Sequence, residues 1–160
     1  MKKVLTVKKK IILICVVVGL ILMAALIIGL LSISNLSELF THSDDMIVQI
    51  FEETDQGTVE KLRVDLQPDT QAYRDIEIQI KANTYFVSPF QVSGEPRFGS
   101  NRTLIYVQIA STDLTHTQLL IVSDDGKILV SDKQGNFRQA NVLSGSSATE
   151  LYKALTEIVQ

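Results

Sequence analysis

The sequence has no tryptophan, a single cysteine and only two histidines in 160 residues. One cysteine closes no disulfide within the chain. Everything after Cys15 is cysteine-free, which suits a bacterium that does not rely on disulfides better than a eukaryotic secretory route. A zinc site takes three or four His, Cys or carboxylate ligands at short spacings. No HxH, HxxxH or CxxC occurs around His42 or His116, and His42 with Asp44 and Asp45 reads as solvated chain, so no metal is expected. From Ser34 onward ten basic and 18 acidic residues leave no clustered excess of Lys and Arg, which argues against a nucleic-acid partner. Neither G-x-G-x-x-G nor a Walker-type Gly-Lys-Ser/Thr loop is found, so no nucleotide cofactor is expected.

Charge is also missing from a continuous stretch, and that absence carries the most information. Ile11 to Ile33 contains no charged side chain and is interrupted among apolar residues only by Gly19, Gly29 and Ser32. As a helix it spans roughly 34 Å at about 1.5 Å per residue, enough for a hydrocarbon core of about 30 Å. Five lysines (Lys2, Lys3, Lys8, Lys9 and Lys10) precede it, and one acid, Glu38, follows closely. The positive-inside rule then predicts a single-pass signal-anchor: residues 1–10 as a cytoplasmic basic tail, residues 11–33 as a transmembrane helix in contact with the lipid bilayer, and the rest outside. A cleaved signal peptide is the alternative, with Ser32-Ile33-Ser34 as its site. An h-region of about 7 to 15 residues is shorter than this run, which favours a retained anchor. Cys15 lies inside the run behind Ile14 and makes no lipobox; it reads as a small hydrophobe. Ala25 and Gly29 form a small-xxx-small pair through which the span could meet another membrane protein or itself.

Beyond the span the composition is that of a soluble domain. Residues 41–160 have an ordinary apolar share, and the chain from Ser34 onward holds ten basic and all 18 acidic residues, a net −8. Residues 34–44 read as a polar juxtamembrane linker with Phe40 at the headgroup level, and residues 45–160 as one α+β domain. Met46–Phe51 and Thr58–Leu66 make a hairpin across Asp55-Gln56-Gly57, with Leu62, Val64 and Leu66 inward. Residues 70–82 support two readings: Ala72, Tyr73, Ile76 and Ile80 share a helical face behind an Asp69 or Thr70 cap, while Ile76, Ile78 and Ile80 alternate as in a strand. Helix is the expected form. Tyr85–Val92 is extended, and Pro89 marks it as an edge. In Thr103–Ala110, Ile105, Val107 and Ile109 face inward. Gln118–Ser123 and Lys127–Ser131 flank Asp124-Asp125-Gly126, read as a primed hairpin turn, and Phe137–Val142 follows the Gln134-Gly135-Asn136 turn. Ser147-Ala148-Thr149-Glu150 is a capping box opening a terminal amphipathic helix with Leu151, Ala154, Leu155, Ile158 and Val159 on one face. The predicted architecture is a mostly antiparallel sheet with one or two helices on one face.

The pattern offers little catalytic chemistry. No G-x-S-x-G is present. A Ser–Lys hydrolase of the signal-peptidase kind has a Ser-Met-x-Pro-like segment after its anchor, whereas Ser43 is followed by Asp44-Asp45-Met46. Ser144-Gly145-Ser146-Ser147 is explained as turn and cap. Glu52-Glu53 and Asp44-Asp45 are adjacent on strands and so face opposite sides. Asp124-Asp125-Gly126 lacks the alternating ligands of a calcium loop. Asn35-Leu36-Ser37 and Asn101-Arg102-Thr103 match the glycosylation triplet, a common chance match that is idle in most bacteria. Tyr85, Phe86 and Phe90, with Phe98 nearby, are the one group that could line an apolar ligand surface, although core packing is the expected role. No catalytic, cofactor-binding or metal-ligating residue is assigned.

The basic N-terminus, the single span, the Met46–Phe51 strand, the Thr70–Ala82 segment, Thr103–Ile109, Gln118–Val130 and Gly135-Asn136-Phe137 together form a layout. It resembles the uncharacterised membrane-anchored or lipoprotein-type extracytoplasmic domains of Gram-positive bacteria. The resemblance implies an extracytoplasmic domain and transfers no functional residue. The expected function is a non-enzymatic binding, accessory or scaffold domain at the cell surface; the alternatives are a subunit of a membrane complex and an envelope enzyme with dispersed catalytic residues. Topology is testable directly. Protease added to intact protoplasts should remove the domain and leave the lysine-rich tail protected; a released chain starting near Asn35 contradicts the retained anchor.

Overall fold

The computed structural model describes residues 2–34, 36–40, 43–93, 98–111, 117–132 and 134–160. They form two compact units, Met1–Ser32 and Ile33–Gln160. The first is a helix, α1 (Lys2–Leu31), so the lysines of the basic tail continue the helix of the apolar run. Its window Ile12–Gly29 has a mean hydropathy of 3.2, long and apolar enough to cross a membrane. Every residue from Ile12 to Ile28 is exposed within the structure, and that stretch of the helix is apolar all round. The Ser32 hydroxyl donates to the Ile28 carbonyl at 2.8 Å, satisfying one of the carbonyls that a helix end leaves open.

The second unit is an eight-stranded antiparallel sheet with two helices. In chain order its elements are β1 (Ile33–Ser34), a 3-10 turn (Ser37–Phe40), β2 (Ser43–Thr54), β3 (Gly57–Leu66), α2 (Gln71–Lys81), β4 (Thr84–Gln91), β5 (Arg102–Ser111), β6 (Thr117–Ser123), β7 (Ile128–Ser131), β8 (Phe137–Ser144) and α3 (Ala148–Val159). Across the sheet the strands run β1-β4-β8-β7-β6-β5-β2-β3. Residues 71–81 are therefore a helix: Thr70 accepts from the Tyr73 amide at 3.3 Å, and Tyr73, Ile76 and Ile80 are buried while Ile78 is exposed. The strand-like Ile76-Ile78-Ile80 alternation loses to a helical face that can be buried whole.

One face of the sheet carries the main core. Met46, Val48 and Ile50 of β2, Ile105, Val107 and Ile109 of β5, Leu120 and Val122 of β6, and Ile128 and Val130 of β7 pack against α2 and α3. The capping box of α3 is complete: the Glu150 amide donates to the Ser147 hydroxyl at 3.2 Å, and the Ser147 amide to the Glu150 carboxylate at 2.7 Å. Leu151 and Leu155 are fully buried beneath it. A buried side chain, Asn83, ties the two helical segments together. Its amide nitrogen donates to the Gln79 carbonyl at 2.8 Å, closing α2, and its oxygen accepts from the Ser146 amide at 2.6 Å, just before α3. Gly145 sits between them at φ 106°, where an added Cβ would lie 2.2 Å from the Asn83 oxygen.

Two expectations need correction. Described residues of the segment expected to be a linker, 34–44, belong to the domain: Ser34 pairs with Tyr85, and Leu36, Leu39 and Phe40 are buried in the main core. Phe40 is thus a core residue, with the Lys81 ammonium 5.3 Å from its ring centroid. Three large apolar side chains so close together are better satisfied by protein than by water, despite the polar neighbours that suggest a linker. The Asp124-Asp125-Gly126 hairpin also differs. Among the described non-glycine residues only Leu36 and Asn101 have positive φ, so Asp125 does not adopt a primed turn. Gly126 alone takes φ 86°, and the connection is the longer loop from Asp124 to Lys127, closed by the Ser123 amide donating to the Lys127 carbonyl at 2.9 Å.

The packing sets measurable costs. Leu155→Ala should destabilise the domain by about 2 to 5 kcal/mol through lost burial and a cavity. Ser147→Ala should cost about 1 kcal/mol through the lost cap. Gly145→Ala should cost at least about 1 kcal/mol, since a positive φ and the Asn83 clash act together. Urea midpoints for residues 33–160 check all three; unchanged midpoints contradict the packing described.

Candidate binding surface on the helix-free face

Antiparallel pairing places alternate residues on the second face, which carries no helix. The register aligns Gln49 with Tyr106 and Phe51 with Leu104 between β2 and β5, Tyr106 with Ile121 between β5 and β6, and Ile121 with Leu129 between β6 and β7. These side chains build a second, smaller core. Leu104, Ile121 and Leu129 are buried, and Phe98, from the loop after β4, is buried over them at 5% exposure. The Val92 amide donates to the Phe137 carbonyl at 2.7 Å and pins the start of that loop to β8. The Lys127 ammonium lies 5.3 Å from the Phe98 ring centroid, an attractive placement over a ring face.

At the β2 side of this cluster the covering stops. Phe51 and Tyr106 meet edge to face, with centroids 4.8 Å apart at 70°, and both remain only partly buried. Polar groups rim them. Gln49 donates to the Glu60 carboxylate at 2.8 Å. Arg63 and Asp65 are 3.4 Å apart on β3. At the far end Arg102 lies 3.7 Å from Asp124 and 3.6 Å from Asp125. Asp125 is held below the usual carboxylate range first by the Ser123 hydroxyl donating to it. The Tyr106 phenol is pushed up from 10.0, first by burial and then by the Glu53 charge. An aromatic pair flanked by amide and charged groups can bury an apolar side chain and hydrogen-bond the polar groups beside it.

The aromatic group picked out from the sequence is dispersed. Tyr85 is fully buried in the main core, its hydroxyl donating to the Ile80 carbonyl at 3.1 Å. Phe86 stands opposite Ile33, Phe90 is 79% exposed, and Phe98 is in the second core. Adjacent positions in a strand face opposite ways, so proximity in sequence separates Tyr85 from Phe86 in space. Glu52 and Glu53 part in the same manner: Glu52 meets Lys61 at 2.6 Å, while Glu53 acts on Tyr106. Ser146 and Ser147 spend their amides on Asn83 and Glu150. A shallow cavity of about 500 Å³ beside them is lined by these same turn and cap residues. His42 and His116 lie outside the described residues, as does Asn35. Among the described residues no group of three or more His, Cys, Asp or Glu could hold a metal ion.

Sequence reading does not single out Phe51 and Tyr106. A signal for the second core exists nonetheless: Leu119-Leu120-Ile121-Val122 and Ile128-Leu129-Val130 are unbroken apolar runs, as strands covered on both faces require. No family model, curated protein or solved structure matches the chain.

Two phenols, Tyr85 buried and Tyr106 half-buried, give the domain an alkaline limit. Burial pushes Tyr85 up to about 12, with the Asn83 side chain opposing, and Tyr106 is also raised. Each phenol holds its proton more tightly folded than unfolded. The stability this confers is complete below the unfolded value, about pH 10, and is lost as pH rises through the folded values. The wild-type domain should therefore lose stability steeply above that point in an alkaline denaturant series. A Tyr85→Phe/Tyr106→Phe variant should lose less; parallel curves contradict the assignment.

Proposed function

We propose that the chain is a single-pass membrane protein whose domain, outside the cytoplasm, binds a partner protein through the helix-free face of its sheet. It acts as a binding or accessory module and not as an enzyme. The observation that carries this reading is the half-covered Phe51–Tyr106 pair at the border of a second core. Aromatic side chains with a polar rim are the usual anchors of protein interfaces. The candidate span supports a membrane location, and the lysines before it support an N-terminus in the cytoplasm.

The test is site-specific photocrosslinking in the native membrane. A photoreactive residue at Gln49, beside the aromatic pair, should give a discrete adduct that disappears with Phe51→Ala. The same probe at Ile78, 60% exposed on α2, should give none. Equal adducts from both positions contradict recognition through this face. Turnover of cell-wall or peptide substrates, abolished by single Ser or carboxylate changes, would favour an envelope enzyme.

A further inference from the structure

The two edges of the sheet differ in chemistry. At one edge, β2 and β3 carry a row of carboxylates that includes Asp45, Glu52, Glu53, Glu60 and Asp65. At the other, β1, β4 and β8 hold none, although the chain from Ser34 onward contains 18 acids. The acid-free edge is also where large apolar side chains remain open to solvent. Phe90 is 79% exposed, Leu143 55% and Ile33 46%, and Phe86, opposite Ile33 in the register, is only partly buried. Phe90 is the most exposed large apolar residue described outside α1.

Chain connectivity fixes where part of this edge must be. Ile33 is the last residue of the uncharged run, so a chain that spans the bilayer delivers it to the headgroup layer. That layer is several Å deep on each side, the difference between a hydrocarbon core of about 30 Å and a whole bilayer of about 40 to 45 Å. Phe86 pairs with Ile33 across an antiparallel ladder, which sets their Cα atoms about 5 Å apart. Phe86 is therefore held at the same depth to within that spacing. Leu143 lies on β8, the next strand, whose Asn141 pairs with Phe86. Phe90 lies four residues farther along β4, roughly 13 Å at about 3.3 Å per residue.

We propose that the β1–β4–β8 edge is a lipid-contacting surface: Phe90, Phe86, Leu143 and Ile33 lie in the headgroup layer of an anionic bilayer, while the acidic β2–β3 edge points to water. This rests on the membrane reading above. Three features make lipid the occupant. The edge is covalently continuous with the span. Its side chains are aromatic and aliphatic, the types that settle at the headgroup level. Its strands carry no carboxylate for an anionic surface to repel, and the Asp132 carboxylate beside β8 is paired with Arg138 at 3.4 Å.

The absence of tryptophan makes the test clean, because each single-Trp variant of the full chain reports from one place. The variants are Phe90→Trp, Leu143→Trp and, on the far edge, Val59→Trp, each at an exposed site that tolerates a larger ring. They are reconstituted in vesicles of phosphatidylglycerol and phosphatidylethanolamine, with bromine placed on the acyl chains either near the headgroup or near the methyl end. Flotation confirms that the chain is in the vesicles. The expected result is blue-shifted emission from Phe90→Trp and Leu143→Trp, quenched more by shallow bromine than by deep, with Val59→Trp water-like and unquenched. If the chain floats but Phe90→Trp emits like Val59→Trp, the lipid-contacting edge is overturned and the span stands. A blue shift that bromine does not quench and that grows with protein density means a second copy covers the edge, and also overturns it. A chain that fails to float overturns the span and this proposal together.

Discussion

A sheet has two faces, and among the described residues of the second unit helices cover only one. That constraint shapes the second unit. The helices α2 and α3 cover the main core above β2, β5, β6 and β7. The opposite face of the central strands carries a smaller apolar patch, with Leu104, Ile121 and Leu129 in line. It is covered by the loop after β4 through Phe98. Burial of apolar area, at roughly 25 cal/mol per Å², stabilises both layers. The covering ends beside Phe51 and Tyr106, which remain half-buried.

The same constraint sorts the strands. β5, β6 and β7 are central; β7 and the 120–123 stretch of β6 are buried on both faces, and β5 is buried on both only at Leu104 and Ile105. β2 and β3 are buried on one face and carry their charges toward water, with Lys61–Glu52 and Arg63–Asp65 as solvent-exposed pairs. Such pairs contribute little stability, about 0 to 1 kcal/mol each, and their effect on an edge strand is to discourage edge-to-edge pairing. β4 is protected differently: β1 covers it at Tyr85 and Phe86, and Pro89 withholds an amide where the pairing with β8 is interrupted.

How much of this is legible in the sequence follows from which physical signals are local. The capping box at Ser147, the alternation of Ile105, Val107 and Ile109, and the long uncharged run each need only a stretch of neighbouring residues, and each has its counterpart in the structure. The docking of Leu36, Leu39 and Phe40 depends on β1 finding β4, a strand far along the chain, which no window of the sequence displays. The Asn83–Ser146 hydrogen bond is equally non-local. The second core is within reach, since the runs at Leu119–Val122 and Ile128–Val130 break strict alternation. Phe51 and Tyr106 are not, because their contact requires the register between β2 and β5.

The central claim is that β7, the 120–123 stretch of β6 and Leu104 with Ile105 of β5 are sealed on both faces, leaving the half-buried aromatic pair at the border of the second core. Amide hydrogen exchange on the full-length chain tests it most directly. Protection tracks burial and local cooperativity. Amides within 104–109, 119–122 and 128–130 should exchange slowest, at the rate of global unfolding, and Phe98→Ala should accelerate them while leaving α2 unchanged. If those amides exchange as fast as the β3 edge, or if Phe98→Ala leaves them untouched, the helix-free face is not sealed and the account is wrong.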